Sequence, residues 1–126
     1  MIDLKKFTIL VVDDDPDLRE IIFSIFEEEG FTVLLADNGK MAYEIFQANS
    51  LDLVVSDIRM PDGDGLTLLD QIRIHNSKVP IVIFVTGFTD ISVENCLKRG
   101  ALHVFPKPFN QKELMDSVKI ALEIPL

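Results

Sequence analysis

The sequence is poor in the residues that build disulfide or zinc scaffolds. Its 126 residues include one cysteine, two histidines and no tryptophan. The single cysteine, Cys96, cannot form an internal disulfide, and the histidines do not supply the ligand spacing of a zinc site. We therefore expect a protein of a reducing compartment, and specifically a cytoplasmic one.

Basic residues and long apolar runs are also scarce. Twelve Lys and Arg stand against 21 Asp and Glu, and the resulting net charge of -9 would repel a phosphate backbone. The longest nearly apolar stretch, residues 79–85, is much shorter than the roughly 20 residues that a membrane-spanning helix needs. We expect neither direct nucleic acid binding nor membrane insertion.

What the sequence does contain is an alternation of short apolar runs with amphipathic stretches. Hydrophobic residues make up 48% and charged residues 26% of the chain, as in an ordinary globular domain, and the length suits one domain over residues 1–126. The apolar runs predict strands at residues 8–12, 32–35, 51–56, 81–85 and 102–105. This order predicts an α/β fold, a doubly wound five-stranded parallel sheet flanked by five helices.

The helix boundaries are marked by capping residues and by apolar stripes. Asp15 and Pro16 suit the start of the first helix, and Gly30 suits its exit. The fourth helix is expected to end near Gly100, and its apolar stripe is formed by Val93, Cys96, Leu97 and Ala101. The other stripe positions are Leu18, Ile21, Ile22, Ile25 and Phe26 in the first helix, Ala42, Ile45 and Phe46 in the second, Leu69 and Ile72 in the third, and Leu114, Val118, Ala121 and Leu122 in the fifth, which Asn110 and Glu113 precede with capping-box spacing.

Polar side chains follow the predicted strands at their carboxyl ends, where open α/β sheets bind ligands. Asp13 and Asp14 follow the first strand and Asp57 follows the third. Thr86 follows the fourth strand, and Lys107 comes shortly after the fifth. Each residue alone has an ordinary explanation as a helix cap, a turn residue or a solvated charge. Their joint placement predicts a common site.

Several carboxylates with a single lysine would repel one another and need a cation. All the expected ligands are oxygens, a set that favours a hard ion such as Mg²⁺ over zinc or copper. Magnesium commonly bridges to a phosphoryl group, so the site is interpreted as one that holds metal and phosphate.

The motifs at these positions resemble the receiver domain of bacterial two-component response regulators, and the resemblance covers essentially the whole chain. It implies the flavodoxin-like strand order 2-1-3-4-5. The matching segments are 9–16 (ILVVDDDP) with Arg19, 57–61 (DIRMP) with 64–65 (DG), 85–87 (VTG), 100–101 (GA) and 107–109 (KPF).

The resemblance implies a role for each acidic residue. Asp57 is expected to be the phosphoacceptor, a carboxylate nucleophile that takes a phosphoryl group from a partner's phosphohistidine. Asp13 and Asp14 are expected to hold Mg²⁺, and Asp57 with the backbone carbonyl of Arg59 would complete the protein ligands.

The resemblance also implies the groups that contact the phosphoryl oxygens. The Lys107 ammonium and the Thr86 hydroxyl are expected to do so, and the Lys107–Pro108 peptide is expected to be cis. The chain departs from the family at Val104, where the family usually carries a switching Tyr or Phe. Phe105 is adjacent but should point to the other face of the strand.

The implied partners are a sensor histidine kinase or phosphotransfer protein and an unidentified output domain or protein. The surface of the fourth helix, fifth strand and fifth helix is where partners would read the state, and it could form a homodimer. The domain is expected not to be a turnover enzyme but to transfer and slowly hydrolyse its own phosphoryl group. Arg59 and Phe88 would flank the site and tune the lifetime of that group.

Three other functions compete with this interpretation. A haloacid-dehalogenase-type phosphatase could use Asp13 and Asp15, but Asp17 stands where that family has Thr or Val. A flavodoxin-like electron carrier needs a hydroxyl-rich phosphate loop where this chain is acidic. A phosphorylation-independent interaction module stays open because of Val104. Two possibilities also stay open for the chain, a complete single-domain regulator or a receiver from a longer protein.

Overall fold

Five parallel strands form the centre of the protein in a computed structural model that describes residues 2–126. The strands are β1 (Thr8–Val12), β2 (Thr32–Ala36), β3 (Leu53–Ser56), β4 (Ile81–Thr86) and β5 (His103–Pro106). Their order in the sheet is β2-β1-β3-β4-β5, as the resemblance implied. The predicted doubly wound α/β fold is therefore confirmed.

Four of the five α-helices connect successive strands and the fifth follows β5, while a short 3-10 helix precedes β1 at Leu4–Lys6. The helices are α1 (Pro16–Glu29), α2 (Gly39–Ala48), α3 (Gly65–His75), α4 (Val93–Lys98) and α5 (Gln111–Ala121). Each begins after a polar residue whose side chain accepts a hydrogen bond from a first-turn N–H, as a helix N-cap requires. These caps are Asp15, Asn38, Asp64, Ser92 and Asn110.

The core consists of two apolar layers, one on each face of the sheet. Ile9 and Val11 of β1 belong to the layer that also contains residues of α1 and α5. Leu10 and Val12 belong to the other layer, with residues of α2, α3 and α4. Successive side chains of a strand point to opposite faces, so every residue of a strand covered on both sides is buried. The continuous apolar runs in the sequence are the result.

Two predicted boundaries were wrong by a few residues. The third strand was expected from residue 51, but β3 begins at Leu53. Asp52 just before it uses its side-chain carboxylate to accept from the Thr8 N–H at 2.8 Å. The fourth helix was expected to end near Gly100 with Ala101 on its stripe; α4 ends at Lys98, and Ala101 lies outside it because Gly100 turns the chain with a φ of +112°.

Side-chain directions around β5 agree with the sequence. Val104 packs with the layer under α2, α3 and α4, and Phe105 packs with the opposite layer. Cys96 is fully buried on α4. The Lys107–Pro108 peptide is cis as expected, and Val79–Pro80 is also cis. Within residues 2–126, no helix combines the length and apolar character that crossing a membrane demands.

Candidate functional site

The polar residues named from the sequence meet at the carboxyl edge of the sheet. Asp13 and Asp57 directly follow β1 and β3, which are neighbours in the sheet, and Thr86 ends the adjoining β4. The backbone pairing continues past the strands, because Asp57 N donates to Val12 O at 2.9 Å and Lys107 N donates to Thr86 O at 2.9 Å. The sheet itself therefore sets the spacing of these side chains.

The Lys107 ammonium lies between two buried carboxylates. Its Nζ donates to Asp57 Oδ2 at 2.7 Å and to Asp13 Oδ2 at 3.1 Å. The side chains of Asp57 and Asp13 are only 6% and 2% exposed, and that of Lys107 is 22% exposed. Ion pairs with this little water around them are much stronger and much less screened than surface pairs.

Burial and charge pull the ionisation of these groups in different directions. Desolvation raises the pKa of Asp13, and its hydrogen bonds with the Asp15 N–H and Lys107 only partly oppose the rise. Burial alone would lower the pKa of Lys107, but its hydrogen bonds to Asp57 and Asp13 raise the pKa above its ordinary value. The site thus holds a firmly protonated ammonium beside a carboxylate that is costly to keep charged.

The backbone around Asp13 is fixed from two sides. Its Oδ1 accepts from the Asp15 N–H at 2.9 Å, and Asp15 in turn caps α1. Arg19 Nη1 donates to the Asp13 carbonyl at 2.8 Å. The start of α1 therefore holds this acidic segment in place, which accounts for Arg19 within the first motif.

Three carboxylates are placed to share a cation. Asp13, Asp14 and Asp57 each offer an oxygen, and these oxygens all lie within 4.8 Å of one another. Asp14 is exposed to solvent while the other two are buried. Three negative groups against one ammonium leave a local excess of negative charge, and an oxygen-only donor set suits a hard divalent ion. The residues present therefore fit the magnesium ion expected from the sequence.

The turn after β3 fixes the Asp57 side chain. The Ile58 N–H donates to Asp57 Oδ1 at 2.7 Å, and the Ser56 hydroxyl donates to the Asp57 carbonyl at 2.6 Å. Gly65 N donates to Ile58 O at 2.6 Å. A Cβ on Gly65 would collide with the Asp57 carbonyl oxygen and lie 2.8 Å from the Phe84 ring. Only glycine lets α3 begin this close to the strand.

Thr86 and Arg59 lie on the other flank of the site. The buried Thr86 accepts the Phe88 N–H through Oγ1 at 3.3 Å, which leaves its hydroxyl proton free to be donated elsewhere. Arg59 Nη2 pairs with Asp90 at 2.5 Å, and the guanidinium carbon lies 4.7 Å from the centre of the Phe88 ring. Phe88 was expected to flank the site, whereas Asp90 was missed because no local pattern marks a long-range ion pair.

A cleft of about 300 Å³ opens beside Lys107, between β5 and the segment that follows β4. Its apolar wall includes Val104, the position where the resemblance leads one to expect an aromatic ring. The remaining lining residues are Thr86, Gly87, Phe88, Thr89, Ile91, Val93 and Pro106. The small side chain at 104 leaves this space unfilled.

Comparison with known proteins gives a consistent result. The profile of the family described as "Response regulator receiver domain" matches residues 9–119. The chain is 38% identical over 122 residues to the probable C4-dicarboxylate response regulator DctR of Priestia megaterium, covering 94% of this chain and 51% of that protein. It is 33% identical over 117 residues to the regulatory protein AtoC of Escherichia coli, covering 92% of this chain and 25% of that one.

Solved structures show the same likeness. A two-component response regulator from Clostridium difficile superposes with a TM-score of 0.85 at 31% identity, covering 93% of this chain and 96% of that one. The receiver domain of the Francisella response regulator 1452 superposes with a TM-score of 0.84 at 33% identity, covering 92% of this chain and 96% of that one. The chain thus spans nearly all of these solved domains but only about a quarter to a half of the curated relatives above.

Proposed function

We propose, from the premise that this chain belongs to the response regulator receiver domain family of two-component systems, that Asp57 is its phosphoacceptor. The observation that carries the proposal is the double contact of Lys107 with Asp57 and Asp13, two carboxylates that are almost fully buried. Asp57 is held at the end of a central strand, so its position is fixed before any donor arrives. Such preorganisation removes much of the entropic barrier to a transfer reaction.

The proposed transfer is a displacement at phosphorus. A carboxylate oxygen of Asp57 forms the new P–O bond while the P–N bond to a phosphohistidine breaks and its electron pair returns to the imidazole nitrogen. Negative charge spreads over the phosphoryl oxygens in the loose transition state. The Lys107 ammonium, already 2.7 Å from Asp57, is placed to stabilise that charge without moving far.

The metal role rests on Asp13, Asp14 and Asp57. We propose that these carboxylates, with the backbone carbonyl of Arg59, hold Mg²⁺. When bound, the ion would neutralise the carboxylates and help to balance the charge of an anionic donor. Burial raises the pKa of Asp13, so a nearby positive charge would stabilise its ionised form.

Thr86 would report the phosphoryl group to the rest of the domain. Its hydroxyl can donate to a phosphoryl oxygen, and any movement of Oγ1 toward that oxygen would carry to Phe88 through the N–H that Oγ1 accepts. Val104 cannot act as the usual aromatic switch, so in this chain we assign the change to Thr86 and the segment after β4. Arg59 and Phe88, in contact above the site, would limit the approach of an in-line water and so lengthen the life of the acyl phosphate.

The partners follow from the chemistry of the donor. The proposed donor is a sensor histidine kinase or a phosphotransfer protein, and the domain would act as a switch rather than as a turnover enzyme. The output domain or protein stays open. We further propose a cytoplasmic location, which agrees with the buried, unpaired Cys96.

The surface of α4, β5 and α5 is the proposed place where partners or a second copy of the chain read the state. It carries four large apolar side chains that are 40% or more exposed. These residues are Val93, Leu97, Leu102 and Ile120. Hydrogen exchange that changes on phosphorylation only near Asp57, and not in residues 86–119, would contradict a switch at this surface.

A phosphorylation-independent interaction module is the second candidate, and the observation that favours it is Val104. It predicts that partner affinity does not depend on phosphate. Binding of an isolated partner before and after phosphorylation separates the two candidates directly.

Intact mass after treatment with a small phosphodonor and Mg²⁺ tests the assignment of Asp57. The wild type should gain one labile phosphoryl group, and Asp57→Asn should gain none. Asp37→Asn is the matched control, because Asp37 follows β2 as Asp57 follows β3 but lies outside the acidic cluster. A full mass increment in Asp57→Asn would show that another residue is the acceptor.

A further inference from the structure

The turn after Asp57 is held by main-chain contacts with the first turn of α2. Gly39 N donates to Gly63 O at 3.0 Å, and Lys40 N donates to Asp62 O at 3.2 Å. Asp62 and Gly63 have φ values of +57° and +106°. These two residues have left-handed backbones and direct their carbonyls toward α2. The carbonyls accept from two N–H groups in the first turn of α2, which have no acceptor within the helix.

Gly39 is what permits this close approach. A Cβ at position 39 would overlap the Gly63 carbonyl oxygen, and it would lie 2.8 Å from the Gly63 carbonyl carbon and 3.2 Å from Asp64 O. The backbone of Gly39 is not in the left-handed region, so its φ does not require glycine. What requires glycine is the close approach of the Gly63 and Asp64 backbone. These neighbours are backbone atoms, which cannot rotate away as a flexible side chain can.

The clamped turn is the segment that carries a proposed metal ligand. Ile58 is fixed next to Asp57 by its N–H bond to Asp57 Oδ1 and by Gly65 N bonded to its carbonyl. Asp62 and Gly63 are fixed to α2. Arg59 lies between these two anchored points, so the position of its carbonyl follows from where both anchors stand.

We propose that Gly39 is a positioning residue for the metal site, although it touches neither the acidic cluster nor the phosphoacceptor. By letting α2 dock main chain to main chain on residues 62 and 63, it sets the position of the Arg59 carbonyl relative to Asp57. This proposal rests on the proposed function, since that function makes the Arg59 carbonyl a ligand of Mg²⁺.

The ion makes the site sensitive to small displacements. Mg²⁺ requires near-ideal octahedral geometry at about 2.0–2.1 Å, so a ligand shifted by several tenths of an ångström binds poorly. Gly39→Ala must move the turn by about that much to relieve the overlap. Alanine is also a better helix former than glycine by about 1 kcal/mol, which offsets part of the cost in overall stability. Metal affinity is therefore the informative readout.

The experiment compares Gly39→Ala with wild type and with Met41→Ala. Met41 lies in the same turn of α2 but faces the opposite side, toward Arg19 and Leu35, and its replacement changes no charge. Mg²⁺ dissociation constants are measured by NMR titration, and unfolding free energies are measured in metal-free buffer. We expect Gly39→Ala to bind Mg²⁺ about tenfold more weakly, the lower end of losses seen when groups supporting metal ligands are changed.

Two further measurements separate positioning from damage. Without metal, the amide shifts of Gly39→Ala should change at residues 59–63, and its phosphorylation rate should recover at saturating Mg²⁺. If Gly39→Ala fails to fold, Gly63→Ala replaces it, because alanine is strained at the φ of +106° and its Cβ would lie 3.2 Å from Lys40 N, so that both effects disturb the contact between the turn and α2.

The outcomes are distinct. Wild-type Mg²⁺ affinity in a folded Gly39→Ala, or an equal loss in Met41→Ala, would overturn the role of Gly39 while leaving the proposed function intact. Failure of the wild type itself to bind Mg²⁺ would instead overturn the proposed function, and this inference with it.

Discussion

The two connections that flank Asp57 are built in opposite ways. Residues 58–64, which follow β3, are fixed by main-chain hydrogen bonds. Gly65 N donates to Ile58 O, and Gly39 N donates to Gly63 O. Residues 87–91, which follow β4, neither donate nor accept a main-chain hydrogen bond in the described part of the chain, whereas the carbonyls of Ile58, Asp62 and Gly63 all accept one. They are held by side-chain contacts instead. The Phe88 N–H donates to Thr86 Oγ1, and the partly exposed Arg59 pairs with Asp90 and lies over the Phe88 ring.

This difference suits the two connections to two tasks, holding a metal ligand in place and changing conformation. Main-chain hydrogen bonds between closely packed backbones hold residues 58–64 in a single conformation, which suits a segment that carries a metal ligand. Side-chain contacts of partly exposed residues contribute little stability and can be exchanged at low cost. The first connection is therefore the fixed side of the site, and the second is the adaptable side, where we expect the response to phosphorylation.

Gly65→Ala should break the fixed side with the largest effect. The new Cβ would meet the Asp57 carbonyl, the Phe84 ring at 2.8 Å and Ile58 Cα at 3.0 Å. Overpacking of this kind costs about 1–3 kcal/mol, and we expect a value near the upper end because two of the neighbours are backbone atoms. Urea denaturation measures the loss. Gly87→Ala is the matched change on the adaptable side, where the nearest atoms lie at 3.9 Å, and a similar loss there would contradict the comparison.

Lys107→Ala should come next, because it removes the ammonium that bonds both buried carboxylates. Asp13 and Asp57 would lose charged hydrogen bonds in a buried pocket, and we expect the unfolding free energy in metal-free buffer to fall by about 1.5 kcal/mol. Added Mg²⁺ should recover part of the loss. Lys112→Ala, on an exposed ion pair, should change the unfolding free energy little. An unchanged stability of Lys107→Ala would mean that the two carboxylates do not depend on its charge.

Asp13→Asn should stabilise the metal-free protein at neutral pH, by about 0.5–1 kcal/mol. Burial raises the pKa of Asp13, so the folded state holds its proton more tightly than the unfolded state does. The ionised group therefore opposes folding once the pH has risen through the folded pKa, and below the ordinary pKa, near 3.8, it has no effect. The gain should shrink as the pH falls toward that value. Stabilisation by Mg²⁺ should weaken in the variant, and a loss of stability at pH 7 would refute the argument.

Asp90→Ala should have the smallest effect, because it removes one exposed ion pair between the adaptable side and Arg59 and leaves the main-chain bonds of the fixed side in place. The Arg59–Asp90 pair has side chains 47% and 63% exposed, and such pairs contribute less than about 1 kcal/mol. We expect the unfolding free energy to change by less than about 0.5 kcal/mol. Hydrogen exchange should become faster at residues 87–91 and stay unchanged at residues 58–63. Equal acceleration in both segments would show that the two sides are not independent.

The sequence was sufficient to predict the sheet and its acidic edge. The central strands β1, β3 and β4 are apolar runs buried on both faces. At β1 and β3 the run is followed by a carboxylate, so the pattern that marks the end of the strand also marks the site residue. Boundaries failed where that signal was ambiguous. Leu51 is as apolar as a strand residue, but Asp52 turns its own side chain onto the Thr8 N–H.

The contacts that distinguish the two sides of the site could not be predicted. Gly39 and Gly63 carry no side chain that would reveal a pairing, and their contact arises only when α2 and the turn after β3 are packed. Asp90 likewise meets Arg59 through the fold rather than through any local spacing. Patterns along a chain report burial and periodicity, whereas these contacts depend on the relative placement of separate elements.

The buried Cys96 gives the protein a built-in reporter of helix opening. It is the only thiol in the chain, it is fully buried on the six-residue helix α4, and burial raises its pKa. An alkylating reagent can therefore react only when α4 lifts from the sheet. In the regime of rapid reclosing, the ratio of the observed rate to that of a free thiol gives the equilibrium constant for opening. The same thiol then measures, without any label, how strongly the state of Asp57 is felt at the surface that partners would read.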